Sequence, residues 1–200
     1  MENRKLWEKY LNGDKEALTI IFRLFFDDLY NYGMRLTRSS EIVEDSLQDM
    51  FLKLWKNRSN LRIIDNIKPY LFKALRRHII SNLKWGNHFV NYDEEPEELF
   101  RIEFSYEDFL INSHVNQDMR ENLIKALNKL TKRQREAIYL RYFEELEFES
   151  ISEIMSMKVQ SVRNSIHRGL VTLREMKIIP VLLFIVNSLL ITWFTFIDRY

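Results

Sequence analysis

The chain has 200 residues, of which 46% are hydrophobic and 14 are phenylalanine, so it is long enough for one or two small domains with a substantial core. It has no cysteine, which excludes disulfides, thiolate metal sites and cysteine nucleophiles; its four histidines show no metal-ligand spacing, and we expect no cofactor. The net charge of +1 says little about partners because the charges are segregated along the chain, and the scarcity of glycine and proline favours long helices.

The predicted elements begin with a first domain over residues 1–86. Its start is polar and charged, which predicts no secretory signal. From Asp14 onward, apolar residues recur at helical spacing between Leu18 and Leu36 and predict a long amphipathic helix.

A second helix is predicted after Ser39 and Ser40, either of which can cap its first turn. Its inward positions are apolar, namely Val43, Leu47, Met50, Phe51 and Leu54. Its exposed positions surround a leucine with acids and an amide, as Asp45, Gln48, Asp49 and Leu52. Such a face is more typical of a protein-contact patch than of a plain surface.

A third helix is predicted to begin near Pro69 and to continue to Lys84. No acid lies between Asp65 and Asp93, where the cations are Lys68, Lys73, Arg76, Arg77 and Lys84. Rings are interleaved with them, at Tyr70, Phe72, His78 and Trp85. Charge for phosphates and ring faces for stacking are what single-stranded nucleic acid requires. The alternative is a helix whose core is Tyr70, Leu71, Leu75 and Ile79 and whose cations only solvate its outer face.

Residues 87–117 interrupt the helical pattern and predict an acidic linker. Arg101 is the only base among a cluster of acids and Pro96 interrupts it further; the acids are Asp93, Glu94, Glu95, Glu97, Glu98, Glu103, Glu107 and Asp108. A spacer that only solvates the chain explains this composition equally well.

The second predicted domain, residues 118–176, begins with a helix marked by Leu123, Leu127 and Leu130. Thr131 and Gln134 then form a capping-box pattern for a helix that reaches Phe143. The acids that follow, Glu144, Glu145, Glu147 and Glu149, are interpreted as surface residues and not as general acids. Nothing in the chain resembles a catalytic carboxylate pair, a triad or a phosphate-binding glycine loop, so no enzyme activity is predicted.

Residues 150–175 predict two amphipathic helices joined by a tight turn. The apolar positions are Ile151, Ile154 and Met155 in the first, and Val159, Val162, Ile166, Leu170 and Leu173 in the second. Polar side chains lie on the opposite face of the second helix and just before it, as Lys158, Gln160, Ser161, Arg163, Asn164, His167 and Arg168. These side chains hydrogen-bond phosphates and base edges in the DNA major groove. A solvated amphipathic helix in any bundle is the alternative.

The final segment, residues 177–200, contains an uncharged stretch over residues 178–197. At about 1.5 Å per residue a helix of this length spans roughly 30 Å, which matches a bilayer core. Lys177 precedes it, and Trp193 and Tyr200 lie toward its other end, where interfacial aromatics are expected. The stretch therefore predicts a membrane helix, or alternatively a helix that docks into a groove of this chain or of a partner.

Three of these segments, in this order, resemble bacterial sigma factors of the sigma-70 family, in particular the extracytoplasmic-function (ECF) group. The resemblance covers about Leu6 to Glu175. VEDSLQDMFLKLW resembles the polymerase-binding helix of that family, and IKPYLFKALRRHIISNLK resembles its −10 promoter helix. LTKRQREAIYLRYFEELEFESISEIM and SMKVQSVRNSIHRGL resemble its −35 region. The chain also resembles those members with hydrophobic C-terminal ends that occur in the Bacteroidetes branch.

The resemblance implies an all-α protein of two small domains that binds core RNA polymerase (β′ and β subunits), promoter DNA and an anti-sigma factor, in the cytoplasm or attached to the inner membrane through residues 178–197. The residues it places on the polymerase β′ coiled coil are Asp45, Gln48, Asp49, Leu52 and Trp55. Those on the −10 strand are Lys73, Arg76, Arg77, His78 and Lys84, with the loop from Asn57 to Asn66 receiving a flipped base. Those on the −35 element are Lys158, Gln160, Ser161, Arg163, Asn164, His167 and Arg168. The acidic linker is expected to lie in the RNA path.

Four positions depart from the family pattern. Arg77 stands where asparagine is usual, Ser156 where glycine occupies the turn, Lys158 where a capping serine is common, and Glu147 where serine or threonine is common. Serine is a tolerable turn residue, so the helix pair remains possible. Two other functions compete with the resemblance: a stand-alone helix-turn-helix regulator, and a membrane-tethered adaptor that binds proteins.

Overall fold

The computed structural model describes residues 2–86 and 117–175, and the regular structure within these ranges is entirely helical. The predicted all-α fold is therefore confirmed for this part of the chain. The helices are α1 (Glu2–Leu11), α2 (Lys15–Thr37), α3 (Ser40–Lys56), α4 (Ile67–Gly86), α5 (Gln117–Lys129), α6 (Lys132–Tyr142), α7 (Phe148–Ile154) and α8 (Val159–Glu175), with a 3₁₀ turn at Arg58–Asn60. The chain divides into two compact units, the first containing α1 to α4 and the second α5, α6, α8 and most of α7.

In the first unit, α2, α3 and α4 pack against one another around a fully buried apolar core. The predicted cap of α3 is present, because the Ser39 side chain accepts a hydrogen bond from the backbone N–H of Ile42. Helix α2 has a cap that was not predicted, since the Asp14 side chain accepts hydrogen bonds from the backbone N–H groups of Glu16 and Ala17. All five predicted inward residues of α3 are buried: Val43, Leu47, Met50, Phe51 and Leu54. Helix α4 begins two residues before Pro69, which lies in the first turn as expected.

Gly33 allows α2 to approach α3 closely, because it has no side chain. A Cβ atom added to Gly33 would lie 2.7 Å from Cγ1 of Val43, which is closer than packed carbon atoms allow. A larger residue would therefore push the two helices apart.

Helix α1 was not predicted, although it completes the first core. Trp7 and Tyr10 are each only 1% exposed, and the Trp7 Nε1–H donates a hydrogen bond of 3.0 Å to the carbonyl of Arg62. The ring of Trp7 also contacts Tyr10 and Tyr70, with centroids 4.8 and 5.3 Å apart. The sequence signal was the short apolar run at Leu6, Trp7, Tyr10 and Leu11, which spans too few turns to establish a period.

In the second unit, α6 and α8 pack closely. Gly169 of α8 faces Ile138 of α6, where an added Cβ would lie 2.7 Å from Cδ1. The predicted capping box is confirmed, since the backbone N–H of Gln134 donates to the Thr131 hydroxyl and the Gln134 amide oxygen accepts from the Thr131 N–H. The predicted leucines of α5, Leu123 and Leu127, are buried, as is Leu130 directly after the helix.

The turn between α7 and α8 has the tight form that the sequence predicted. Ser156 adopts a left-handed backbone with φ of 53°, the conformation for which glycine is usual. The N–H of Met157 bonds the carbonyl of Ser152, and the carbonyl of Lys158 accepts from Ser161 and Val162 at the start of α8. Serine thus fills the turn at some conformational cost without disrupting the helix pair.

The predicted acidic linker, apart from Gln117 at the start of α5, and the predicted membrane segment lie outside the described residues. Among the helices of residues 2–86 and 117–175, none is long and apolar enough to cross a membrane.

Candidate nucleic-acid interface

Helix α8 presents one polar face built on a fully apolar back. Val162, Ile166 and Leu173 are at most 4% exposed, and they fix the helix against α6. The seven residues predicted to read DNA lie together on and beside the outer face. Six of them are exposed and Ser161 is half-buried; the six are Lys158, Gln160, Arg163, Asn164, His167 and Arg168. The Gln160 amide donates to the Asn164 side-chain oxygen at 3.0 Å, which orders two amides that are suited to base edges.

The start of α7 carries side chains that the sequence analysis did not assign to the interface. The Arg163 guanidinium lies over the Phe148 ring, 4.7 Å from its centroid, and 3.7 Å from a carboxylate oxygen of Glu149. Fourteen residues lie between Phe148 and Arg163 along the chain, and the two side chains meet because the turn between α7 and α8 brings the helices together. No periodicity within one helix could have revealed this contact.

A polar cluster lies beneath the α6–α7 connection. Glu144 is only 7% exposed and accepts a short hydrogen bond from the Tyr139 hydroxyl, so its assignment to the surface was wrong. Glu145, Glu147 and Glu149 are exposed, as predicted. Burial of a carboxylate is tolerated when a strong donor satisfies it, as the Tyr139 hydroxyl does here. The cluster therefore fixes the path of the chain into α7.

Helix α4 exposes fewer cations than its composition suggests. Arg77 is exposed and Lys73 is half-buried, whereas Arg76 is only 4% exposed and Lys84 lies near the end of the helix. The buried position corrects the expectation that Arg76 meets DNA directly. It follows from the helical period, because Arg76 shares the apolar face of Phe72 and Ile79.

The rings of α4 mostly belong to the core. Phe72 is fully buried and stacks on Tyr32 with centroids 5.0 Å apart, so it is not available to stack on a base. Tyr70 is half-buried against Trp7. The core alternative for this helix is therefore correct for Leu71, Leu75 and Ile79, which are fully buried, and the core also takes Phe72, which that alternative did not include.

His78 connects the charged edges of α4 and α3. Burial lowers the pKa of His78 below the usual histidine value, the nearby charge of Lys53 lowers it further, and Asp49 acts in the opposite direction. The imidazole is half-buried and lies within electrostatic range of the outer face of α3. A neutral imidazole at this place keeps a donor and an acceptor for a ligand.

The side chains predicted to lie on the outer face of α3 are exposed, and their role as a protein-contact patch stays a prediction. Asp45, Gln48 and Asp49 are exposed, and Leu52 leaves 48% of its surface in water. Trp55 is half-buried, because the Arg58 guanidinium lies 4.3 Å above its ring and Tyr10 lies 6.1 Å away. Leu52 is thus free for a partner, whereas Trp55 is partly engaged in the unit's own packing.

The loop between α3 and α4 is tied to α1 at two points. The carbonyl of Arg62 accepts the Trp7 hydrogen bond, and Arg4 pairs with Asp65 at 3.1 Å. Ile63 projects from the loop with 53% of its surface exposed. The loop is held at its base and offers an apolar side chain at its surface.

The first unit carries acidic, amide and cationic side chains on the exposed faces of α3 and α4. The second unit contains a helix-turn-helix, a motif typical of DNA-binding proteins. Residues 21–85 match the family Sigma-70 region 2, and residues 120–173 match the family Sigma-70 region 4. The chain belongs to the sigma-70 family of RNA polymerase sigma factors.

The chain is similar to bacterial sigma factors, and the similarity covers most of this chain and nearly all of each relative. RNA polymerase sigma factor YlaC of Bacillus subtilis is 24% identical, with 80% of this chain and 92% of YlaC aligned. ECF RNA polymerase sigma factor SigW of the same organism is 23% identical, with coverage of 86% and 95%.

Two solved structures share the fold. CnrH, in complex with the cytosolic domain of CnrY, superposes with a TM-score of 0.57 at 15% identity, covering 86% of this chain and 95% of that one. The sigma factor RpoE from Bartonella quintana, in complex with the anti-sigma factor NepR, gives 0.54 at 23% identity, covering 78% and 92%.

Proposed function

We propose that this sigma factor directs core RNA polymerase to promoters by dividing recognition between its two units. The first unit opens and holds the −10 strand and grips the polymerase, and the second unit reads the −35 element. The observation that carries the proposal is the order of the two family matches on two separately packed units, each with an exposed polar face.

The −35 assignment is supported by α8. Its outer face gathers Lys158, Gln160, Ser161, Arg163, Asn164, His167 and Arg168 on a helix with a rigid apolar back. Arginine and amide side chains on the exposed face of a second helix are suited to base edges and phosphates of the major groove.

The −10 assignment is supported by Lys73, Arg77, His78 and Lys84 of α4, together with the loop from Asn57 to Asn66. Arg76 supports the helix from inside the unit. Ile63, exposed on the loop, can contact a base that leaves the stack. Flipping a base costs a few kcal/mol, which phosphate contacts and burial of the base must offset.

The polymerase assignment is supported by α3. Leu52 supplies an apolar contact that Asp45, Gln48 and Asp49 surround, which is the arrangement of an interface core with a polar rim. We propose that this face, with Trp55 at its edge, binds the β′ coiled coil and that the second unit contacts the β subunit.

An anti-sigma factor is proposed as a regulatory partner. The support is the solved complex of the sigma factor RpoE with the anti-sigma factor NepR, because RpoE shares the fold of this chain.

The resemblance to members from the Bacteroidetes stays a proposal.

Residues 178–197 are proposed to anchor the chain to the inner membrane, on the support of their uncharged composition alone. Membrane fractionation of the full chain and of residues 1–176 tests this. Recovery of both in the soluble fraction without detergent would contradict the anchor.

The domain bounds of 1–86, 87–117 and 118–176 are likewise proposed, and limited proteolysis tests them.

The decisive experiment is run-off transcription from genomic fragments with core polymerase, with and without this chain. We expect initiation that depends on the chain, and footprints that appear only when core enzyme is present. Protection of DNA by the chain alone, without dependent transcripts, would favour a stand-alone helix-turn-helix regulator.

A further inference from the structure

The ring of Phe148, at the first position of α7, lies beneath two guanidinium groups. The Cζ atom of Arg163 is 4.7 Å from the ring centroid, and that of Arg141 is 4.9 Å away. Arg163 belongs to the outer face of α8, whereas Arg141 belongs to α6 and donates a hydrogen bond of 2.8 Å to the carbonyl of Leu146. The ring is therefore anchored on one side to the rigid α6 and contacts the DNA-facing helix through Arg163.

A carboxylate provides a second contact to Arg163. The distance from Nη2 of Arg163 to Oε1 of Glu149 is 3.7 Å, and the two side chains remain 52% and 67% exposed. A pair this long and this exposed contributes little to folding stability. It leaves the other N–H groups of the guanidinium open to a ligand, so the pair and the ring together orient the group without occupying it.

We propose that Phe148 and Glu149 set the sequence specificity of α8 without touching a base, by holding the Arg163 guanidinium in one orientation. This inference rests on the proposed assignment of α8 to the −35 element. A held guanidinium has N–H groups in fixed directions, so it bonds strongly only where a base edge or phosphate lies in the matching position. An unrestrained arginine binds phosphates at any DNA sequence. The Glu149 carboxylate also repels phosphates that approach Arg163 from a position other than the matching one.

The test uses the full chain with core polymerase and two DNA fragments. One is a promoter that supports run-off transcription, and the other is the same fragment with its −35 bases exchanged. The measured quantity is the ratio of the two dissociation constants, at several salt concentrations. For Glu149→Gln we expect affinity for the exchanged fragment to rise about two- to fivefold, with a smaller change on the promoter. Affinity for the exchanged fragment should also fall more steeply with salt concentration, by an amount that corresponds to up to about one additional phosphate contact.

A pair of substitutions at Phe148 tests the ring. Phe148→Leu keeps an apolar side chain but removes the aromatic face, and it should lower the specificity ratio about two- to fivefold. Phe148→Tyr keeps the face and should retain the ratio, which a merely structural role for an apolar residue would not require. If Phe148→Leu fails to fold, Glu149→Gln decides the question.

Glu145→Gln is the matched control. It removes the same charge four residues from Glu149, and Glu145 is an exposed side chain outside the ion pairs of Arg141 and Arg163, so the ratio should stay constant. In an Arg163→Gln background, Glu149→Gln should have no further effect. An equal loss of specificity from Glu145→Gln would overturn the proposal, because net charge would then explain the result.

Different results would contradict the orienting role of Phe148 and Glu149 and the assignment of α8 to the −35 element. If Arg163→Gln lowers the preference for the −35 bases while Glu149→Gln and Phe148→Leu do not, the orienting role is overturned and the −35 assignment stands. If Arg163→Gln and other changes on the outer face leave that preference unchanged, the −35 assignment itself fails.

Discussion

The two helices proposed to meet promoter DNA, α8 and α4, distribute their polar side chains differently. On α8 the buried positions are apolar or glycine, and six of the seven proposed contacts are exposed. On α4 a cation, Arg76, is buried on the same face as Phe72 and Ile79, and His78 is half-buried. Helix α8 therefore separates folding from recognition by face, whereas α4 uses neighbouring side chains for both.

Substitutions on the two helices should therefore have different effects. A change on the outer face of α8 should alter DNA affinity alone, and a change on its back should alter stability alone. On α4 and on the edge of α3, single substitutions should often alter both.

The largest effect is expected on the back of α8. Ile166 is only 4% exposed, so Ile166→Ala should lower the free energy of unfolding by about 2–5 kcal/mol through lost burial and a residual cavity. His167→Ala, one residue further on, should change stability by less than about 0.5 kcal/mol while weakening binding to the −35 element. Urea unfolding and fragment binding by the holoenzyme measure the two quantities. Equal destabilisation by both changes would contradict the separation of faces.

Neighbouring arginines provide the corresponding test on α4. Arg76→Ala should lower the free energy of unfolding by about 2 kcal/mol or more, because it empties a buried site and removes a partner from polar groups. Arg77→Ala should leave stability within about 0.5 kcal/mol and should reduce affinity for a single-stranded −10 oligonucleotide in the holoenzyme. If Arg76→Ala unfolds no more easily than Arg77→Ala, the buried role of Arg76 is wrong.

An intermediate effect is expected on the outer face of α3, which is proposed to bind polymerase. Leu52→Ala should weaken affinity for core enzyme about tenfold without affecting unfolding, since 48% of the side chain is exposed. Trp55→Ala should reduce both quantities, because its ring also packs against Arg58 and Tyr10. Ile20→Ala is the control, since Ile20 is similarly exposed, at 40%, on α2. A loss of polymerase affinity from Ile20→Ala would show that the contact is not specific to α3.

The smallest effect concerns pH. The pKa of His78 is lower in the folded chain than in the unfolded chain, so folding favours the neutral imidazole. The resulting contribution to the free energy of unfolding is fully present above about pH 6.5. It is lost as the pH falls through the pKa that His78 has in the folded chain. Unfolding experiments from pH 8 to 5 should therefore show a decrease that is smaller in His78→Gln. Identical slopes for the two chains would remove His78 as the cause.

The sequence predicted those elements in which several signals agree. Asp14, Ser39 and the Thr131–Gln134 pair marked helix starts, and long apolar periods marked the buried faces, so α2, α3, α6 and α8 lie where expected. The position of Arg76 was predictable from its period, but its charge suggested a surface role. Composition describes which side chains a helix carries, and only the period assigns them to a face.

Contacts between distant residues were not predictable in the same way. The Arg163–Phe148 contact depends on the backbone of Ser156, and the buried Glu144 depends on the reach of the Tyr139 hydroxyl. Helix α1 is too short for its pattern to be distinguished from chance. Tertiary geometry, which no local pattern encodes, determines all three.

The attachment of α1 to the loop between α3 and α4 has a practical consequence. Trp7 and Arg4 hold the segment around Arg62 and Asp65, which is the segment proposed to receive an extruded base. An affinity tag fused ahead of α1 would thus be attached to the helix that holds the loop proposed to receive the extruded base. Recombinant chains intended for kinetic work on promoter opening are better tagged elsewhere, and removal of the first eleven residues should loosen that segment before it disturbs the three longer helices.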